Sequence, residues 1–212
     1  MTSLFSCVPL TSDECNRRLI NSFTIDREKD ISSISDKVIG LEAYLKRCAW
    51  QDDLNGEVKI YLIIDDSLNA VAAYFGLKAG MVASSREEMP SIEQQRQIYH
   101  EEGVKLLPEV LPGIEISHFA VNDAYRRLAG SDDNPVRGLG EYFYPAFIYP
   151  IIEDVSTKIG VNMIYLYAAG DEHLVSYYER VFDFQALDAE DYFVPLEPDY
   201  DGGCMFMYQL LQ

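Results

Sequence analysis

Gly138-Leu139-Gly140 stands between a run that reads as a strand and one that reads as a helix. Glycine lets a backbone approach a ligand closely. The first N–H groups of a helix have no internal acceptor and point at whatever lies ahead of them. Such a turn is a ready anion site, and a pyrophosphate fits it. Arg137, immediately before it, adds a cation. It is not a P-loop, because the next residues are Glu141-Tyr142-Phe143 rather than Lys-Ser/Thr. It also lacks the third glycine of a dinucleotide fingerprint, and an acidic loop precedes it. Cys7, Cys15, Cys48 and Cys204 form no CxxC pair, and His100, His118 and His173 show no ligand spacing. No metal site is expected, and the cysteines read as free thiols of a reducing compartment.

The chain that carries this turn has 212 residues, 48% hydrophobic and 25% charged, enough for one packed core, so 1–212 is expected to be a single domain. A disordered chain, a collagen-like repeat and a small disulfide scaffold are excluded by composition. Lys and Arg number 17 against 35 Asp and Glu, a net charge of −18. That excludes a uniformly basic nucleic-acid surface and favours cationic partners, small amines among them. The same charge also serves solubility. No apolar run approaches the ~18 residues of a membrane helix, and Met1–Leu10 has no basic leader region. A cytoplasmic location without membrane contact is the expectation.

Hydrophobic spacing supplies the elements. Ser35–Ala49 reads as a helix with Val38, Leu41, Leu45 and Cys48 on one face, ended by the acidic stretch Gln51–Glu57. Val58–Ile64 and Ala70–Leu77 read as an antiparallel pair joined by Asp65–Asn69. One exposed helix is expected within Glu87–Gly103, and a strand over Ile114–Val121. Asn122–Pro135 reads as loop. Tyr144, Phe147, Ile148, Ile151, Ile152, Val155 and Ile159 recur at helical spacing, and Pro145 and Pro150 predict a bend in that helix. Val161–Ala168 is a strand, Asp171–Phe182 an amphipathic helix, Leu187–Gly202 mostly loop and Gly203–Leu211 a last strand. Strand, glycine turn, helix and strand make a βαβ unit. The fold class is therefore α/β, a mixed antiparallel and parallel sheet with helices on both faces.

Three segments in this order resemble the GNAT family of N-acetyltransferases. Glu115–Val121 is similar to the family's fourth strand. Pro135-Val136-Arg137-Gly138-Leu139-Gly140 is similar to its acetyl-CoA pyrophosphate loop, usually written Gln/Arg-x-x-Gly-x-Gly/Ala. Ser176-Tyr177-Tyr178-Glu179-Arg180-Val181-Phe182-Asp183-Phe184 is similar to its Phe-Tyr-Glu…Gly-Phe ending. The hairpin Val58–Leu77 matches the family's second and third strands.

The resemblance implies a GNAT-like fold and transfer of an acetyl group from acetyl-CoA to a primary amine, by direct attack in a ternary complex. It implies Tyr178 as the acid that protonates the leaving thiolate, a task a phenol can perform. It implies that Phe119, Ala120 and Val121 hold the pantetheine arm, that a backbone N–H near Ala120 or Val121 polarises the thioester carbonyl, and that N–H groups of Arg137, Gly138, Leu139, Gly140, Glu141 and Tyr142 hold the pyrophosphate. The Asn that commonly opens the last helix aligns with Asp171, so the resemblance places Asp171 at the cofactor too, an acid facing an anion. Glu115 is the candidate base, since an ammonium must lose a proton before it attacks a thioester. Strict alternation puts Glu115, Ser117, Phe119 and Val121 on one face and His118 on the other; the bulge usual in this strand would upset that. Pro135 replaces the usual Gln or Arg and removes a backbone donor. With Asp171 it motivates the alternative of a degenerate acyl-CoA-binding module. A third reading is a toxin-type acetyltransferase acting on aminoacyl-tRNA, which the net charge argues against. The acceptor is expected to be a small-molecule or protein amine, and a homodimer is compatible with the sequence.

Overall fold

The computed structural model describes residues 4–26, 39–84, 97, 100–101, 110–169, 171–186, 193–195 and 204–211. Strand β1 is Phe5–Pro9, followed by the short helix α1, Asn16–Leu19. Helices α2, Leu41–Arg47, and α3, Ala49–Asn55, follow, then strands β2, Lys59–Asp65, and β3, Ala70–Ser84. Strand β4 is Val110–Val121, and helix α4 is Asp123–Ala129. A long helix starts as α5, Leu139–Phe143, widens into a π turn over Tyr144–Ile148, and resumes as α6, Tyr149–Lys158. Strand β5 is Met163–Ala169, helix α7 is Glu172–Phe182, and β6 is Gln185–Ala186. Strands β7, Phe193–Pro195, and β8, Cys204–Leu210, complete the order.

The eight strands form one sheet in the order β1-β2-β3-β4-β5-β8-β6, with β7 on the far part of β3. Every pairing is antiparallel except β4 with β5, which is parallel. This is the mixed sheet expected, with the parallel pair where the βαβ unit requires it. Phe143, Ile148, Ile152 and Phe182 pack on one face against Phe75, Ile116, Leu166 and Met207. Leu45 and Ala49 pack on the other against Ile60, Leu62, Tyr74 and Ala120. Both faces are thus covered by helices. The side chain of Asn122 ties the end of β4 to two neighbours. Its Oδ1 accepts from the Thr24 and Ala124 amides at 3.0 Å each, and its Nδ2 donates to the Val71 carbonyl at 2.7 Å.

Several expectations change. The helix expected over Ser35–Ala49 is two short helices broken at Cys48, the second running through the acidic stretch to Asn55. Gly56, at φ +77°, closes it in a conformation glycine tolerates. Residues 35–38 lie outside the described residues. Asn122–Pro135 is not all loop, because Asp123–Ala129 is helix α4, with Asn122 as its cap, Asp123 in its first turn and Arg126 and Arg127 in its last. Pro145 and Pro150 remove two amide donors from the helical ladder, and the π turn between them absorbs the break. β1 and β7 were not read from the sequence. The helix expected within Glu87–Gly103 lies outside the described residues except at 97, 100 and 101, which are helical.

Candidate functional site

β4 and β5 pair only over Gly113–Glu115 and Met163–Tyr165, and then the two strands part. A cavity of about 510 Å³ fills the splay. Phe119, Ala120 and Val121 line it from β4, Ala168 from β5, and Leu174 and Tyr178 from α7. Glu115, Lys78 and His118 line it too, with Tyr44 of α2 and Arg126 of α4.

The free edge of β4 follows from its register. The Asn122 N–H donates to the Ala72 carbonyl at 2.8 Å, and Ala120 pairs with Tyr74 two residues back. Antiparallel ladders alternate the direction of their backbone groups. The N–H of Ala120 therefore faces β3, while the N–H groups of Phe119 and Val121 face the splay. Of the Ala120 and Val121 amides, only that of Val121 faces the splay.

One extra residue interrupts this strand. Gly76 pairs with His118 and Leu77 with Ile116, so Ser117 bulges. The two residues at the bulge lie on the same side of the sheet. A Cβ at Gly76 would sit 2.9 Å from Ser117 Oγ and 2.9 Å from Ile60 Cδ1, so the glycine makes room. The alternation expected from the sequence fails here. Glu115 shares its face with His118 and Ala120, opposite Phe119 and Val121.

His118 stacks on Tyr44, ring centroids 3.8 Å apart, and its Nδ1 lies 2.9 Å from Ser117 Oγ. Burial, with the Lys78 cation nearby, pulls its pKa down to about 3, so the imidazole is neutral. Glu115 is buried, with Lys78 Nζ at 3.8 Å from Oε1 and the Tyr165 hydroxyl donating to Oε2 at 3.4 Å. Tyr178 packs against Phe182 and edge-on to Phe184, and burial raises its phenol well above the usual range. It is thus a neutral donor at physiological pH.

Gly138 adopts φ +71° and caps α5, and the helix start that follows leaves N–H groups without an intrahelical acceptor. The Tyr142 N–H is not among them, because it closes the first turn on the Gly138 carbonyl at 3.2 Å. The turn borders the cavity rather than lining it. A Cβ at Gly140 would lie 3.1 Å from the Tyr177 hydroxyl and 3.9 Å from the Phe119 ring. Burial and the Glu141 carboxylate push the Tyr177 phenol up to about 12. The Arg126 carbonyl accepts from the amides of Gly130 and Val136, at 3.2 and 3.0 Å, and so anchors the segment leading into the turn. Leu139 is buried against the sheet, and Arg137 and Glu141 are exposed. The Asp171 carboxylate caps α7 by accepting the His173 amide at 2.8 Å.

The fold thus brings Tyr178, Glu115, Phe119, Ala120 and Val121 to one cavity, with the Gly138 turn beside it. Sequence reasoning missed Lys78, Tyr165, Tyr177 and Arg126. The first two meet Glu115 only through strand register, and Arg126 sits in a helix read as loop. Tyr177 precedes Tyr178, and its spacing in an amphipathic helix signals packing and nothing more. Among the described residues no group of His, Cys, Asp and Glu is arranged to hold a metal, and no helix is long and apolar enough to cross a membrane.

No family model matches the chain, and no curated protein matches it. Solved structures do match. One is a tyrosine-to-phenylalanine variant of the AtaT toxin bound to the C-terminus of the antitoxin AtaR and acetyl-CoA, with TM-score 0.58 and 13% identity, covering 97% of this chain and 92% of that one. The fold is that of the GNAT N-acetyltransferases. AtaT complexed with acetyl-methionyl-tRNA matches with TM-score 0.57 and 17% identity over 90% of this chain and 94% of that one. A tyrosine-to-phenylalanine variant of KacT matches with TM-score 0.55 and 17% identity, again over 90% and 94%. Likeness at this identity is one of architecture.

Proposed function

We propose that this protein is a CoA-dependent N-acetyltransferase that acetylates a primary amine by direct attack in a ternary complex. The observation that carries the reading is the splay of β4 from β5, which opens a cavity through the sheet with Tyr178 in its wall. The residues present fit acetyl-CoA. Phe119 and Val121 offer backbone groups on a free strand edge for an amide-bearing arm, and the Gly138 turn offers helix-start N–H groups for phosphates. Arg126 adds a cation to the cavity wall, with its Nε 3.6 Å from the Asp123 carboxylate. When bound, acetyl-CoA supplies an acyl group activated as a thioester. The Val121 N–H polarises the carbonyl oxygen, Tyr178 holds the proton destined for the departing sulfur, and Glu115 takes the proton of the acceptor ammonium. Asp171, which the resemblance also places at the cofactor, accepts the His173 amide at 2.8 Å as the cap of α7.

A second reading has a specific observation behind it. The matched AtaT structure holds acetyl-methionyl-tRNA, and an aminoacyl group presents a primary amine to the same chemistry. Against it stands the net charge of −18, which opposes nucleic-acid binding. A screen that measures thiol release from acetyl-CoA, with a panel of small amines, peptides and aminoacyl-tRNA as acceptors, tests both. Turnover with small or peptide amines supports the first reading. Turnover confined to charged tRNA supports the second. CoA binding by calorimetry without turnover on any acceptor refutes both in favour of a degenerate binding module.

A further inference from the structure

Glu115 closes the three-residue parallel ladder at the apex of the splay. Lys78 of β3 and Tyr165 of β5 are its register partners on either side. Directly paired side chains in a sheet stand close enough to interact. Here each meets one carboxylate oxygen, with Lys78 Nζ at 3.8 Å from Oε1 and the Tyr165 hydroxyl at 3.4 Å from Oε2. The Glu115 side chain is 7% exposed and that of Lys78 29%, so the cation reaches towards solvent and the carboxylate does not.

A pair of glycines makes this arrangement possible. Gly80 and Gly113 are opposed across β3 and β4, and the Tyr165 ring lies over both. A Cβ at Gly80 would fall 1.8 Å from the Tyr165 hydroxyl oxygen, and one at Gly113 3.0 Å from two ring carbons. Any side chain at position 80 displaces the hydroxyl from Glu115. Two glycines in the middle of paired strands cost stability, and here they leave the space that the tyrosine fills.

We propose that Lys78 and Tyr165 are positioning residues that hold Glu115 ionised and fixed at the apex of the cavity, one at each carboxylate oxygen. They thereby set the pH below which the acceptor amine is no longer deprotonated. The inference rests on Glu115 as the base of the proposed reaction. In that step an N–H bond of the acceptor ammonium breaks and an O–H bond forms on Glu115, leaving a neutral amine and a carboxylic acid. Lys78 keeps its charge throughout, so an ion pair becomes a lone cation beside a neutral acid. The nearby cation therefore favours the ionised base and opposes its protonation by solvent. Other titratable groups line the same cavity among the described residues, Tyr178 of α7 included. His118 on β4 is neutral, Tyr44 of α2 stacks on it, Tyr167 follows on β5, and Asp52, Glu57, Asp123 and Arg126 line the remaining wall.

The test is the pH dependence of kcat/KM with one acceptor amine for the wild type, Glu115→Gln, Lys78→Met, Lys78→Arg and Tyr165→Phe. Lys78→Met should move the midpoint of the acid limb upward by about one pH unit or more, the scale of an opposite charge at this range. Lys78→Arg should restore it, and Tyr165→Phe should move it less in the same direction. CoA affinity, measured by calorimetry, should stay at the wild-type value in all. A uniform loss of rate with an unmoved midpoint in Lys78→Met and Tyr165→Phe, while Glu115→Gln abolishes the limb, overturns the inference and leaves the base in place. An acid limb that survives Glu115→Gln overturns both.

Discussion

Tyr178→Phe removes one oxygen and nothing else. The ring sits 5.7 Å from Phe182, 6.0 Å from Phe184 and 6.0 Å from Tyr177, and phenylalanine keeps all three contacts. The stability change should stay within about 1 kcal/mol, the scale of a single hydroxyl interaction. The kinetic consequence is much larger if that hydroxyl holds the proton for the leaving sulfur. A positioned acid contributes roughly 10²-fold or more, so turnover should fall by at least that factor, about 2.7 kcal/mol of transition-state stabilisation. CoA affinity should be nearly unchanged, because the lost interaction belongs to the transition state. Burial holds the phenol above its ordinary range, so Tyr178 is protonated throughout physiological pH and imposes no basic limb there. The assay is single-turnover thiol release alongside calorimetric titration with CoA and a urea melt. Turnover within threefold of wild type in a folded, CoA-binding variant would refute the acid assignment. The proton would then come from water or another group.

Three further outcomes follow from the geometry. Asn122→Ala strips three hydrogen bonds from a residue that is 2% exposed, and urea denaturation should show a loss of about 2–4 kcal/mol; a loss below 1 kcal/mol would mean that water replaces the bonds. Gly140→Val brings a side chain against the Tyr177 hydroxyl and Phe119, and Gly138→Val strains a backbone at φ +71°; each should weaken CoA binding tenfold or more by calorimetry, and unchanged affinity in a folded variant would make the turn purely structural. His118 is neutral in the fold with a pKa near 3 but would titrate near 6.5 when unfolded, so the unfolded chain binds more protons between those values; stability should therefore fall as pH drops from about 6.5 towards 3, and His118→Phe should flatten that part of the curve in pH-dependent melts, whereas an unchanged slope would remove His118 as its source.

The parts of this molecule legible in the sequence are those that depend on local pattern. The β2–β3 hairpin, the β4 and β5 strands, α7, and the irregularity of the helix that carries Pro145 and Pro150 all follow from alternation, spacing or a missing amide donor. α4 was not legible, because its polar sequence runs on into the Gly130–Asn134 turn, and what holds it is the Asn122 network reaching back to Thr24 and Val71. β1 was missed for a related reason: five residues ending in proline become a strand only when β2 is there to pair with.

The site shows the same division more sharply. Tyr178, Glu115 and the glycine turn could be singled out as candidates from the chain alone, but the face that Glu115 occupies could not. A single bulged residue, Ser117, reverses the alternation between Glu115 and Phe119. Without it, the carboxylate would share a face with Phe119 and Val121, whose backbone edge is read as the cofactor's. With it, Glu115 joins His118, stacked on Tyr44, on the opposite side. Under the proposed reaction, the base would then meet the acceptor from the side of the sheet opposite the Phe119 and Val121 side chains. Gly76, whose missing Cβ leaves room for the Ser117 Oγ, thus helps set the face of Glu115 although it does not line the cavity.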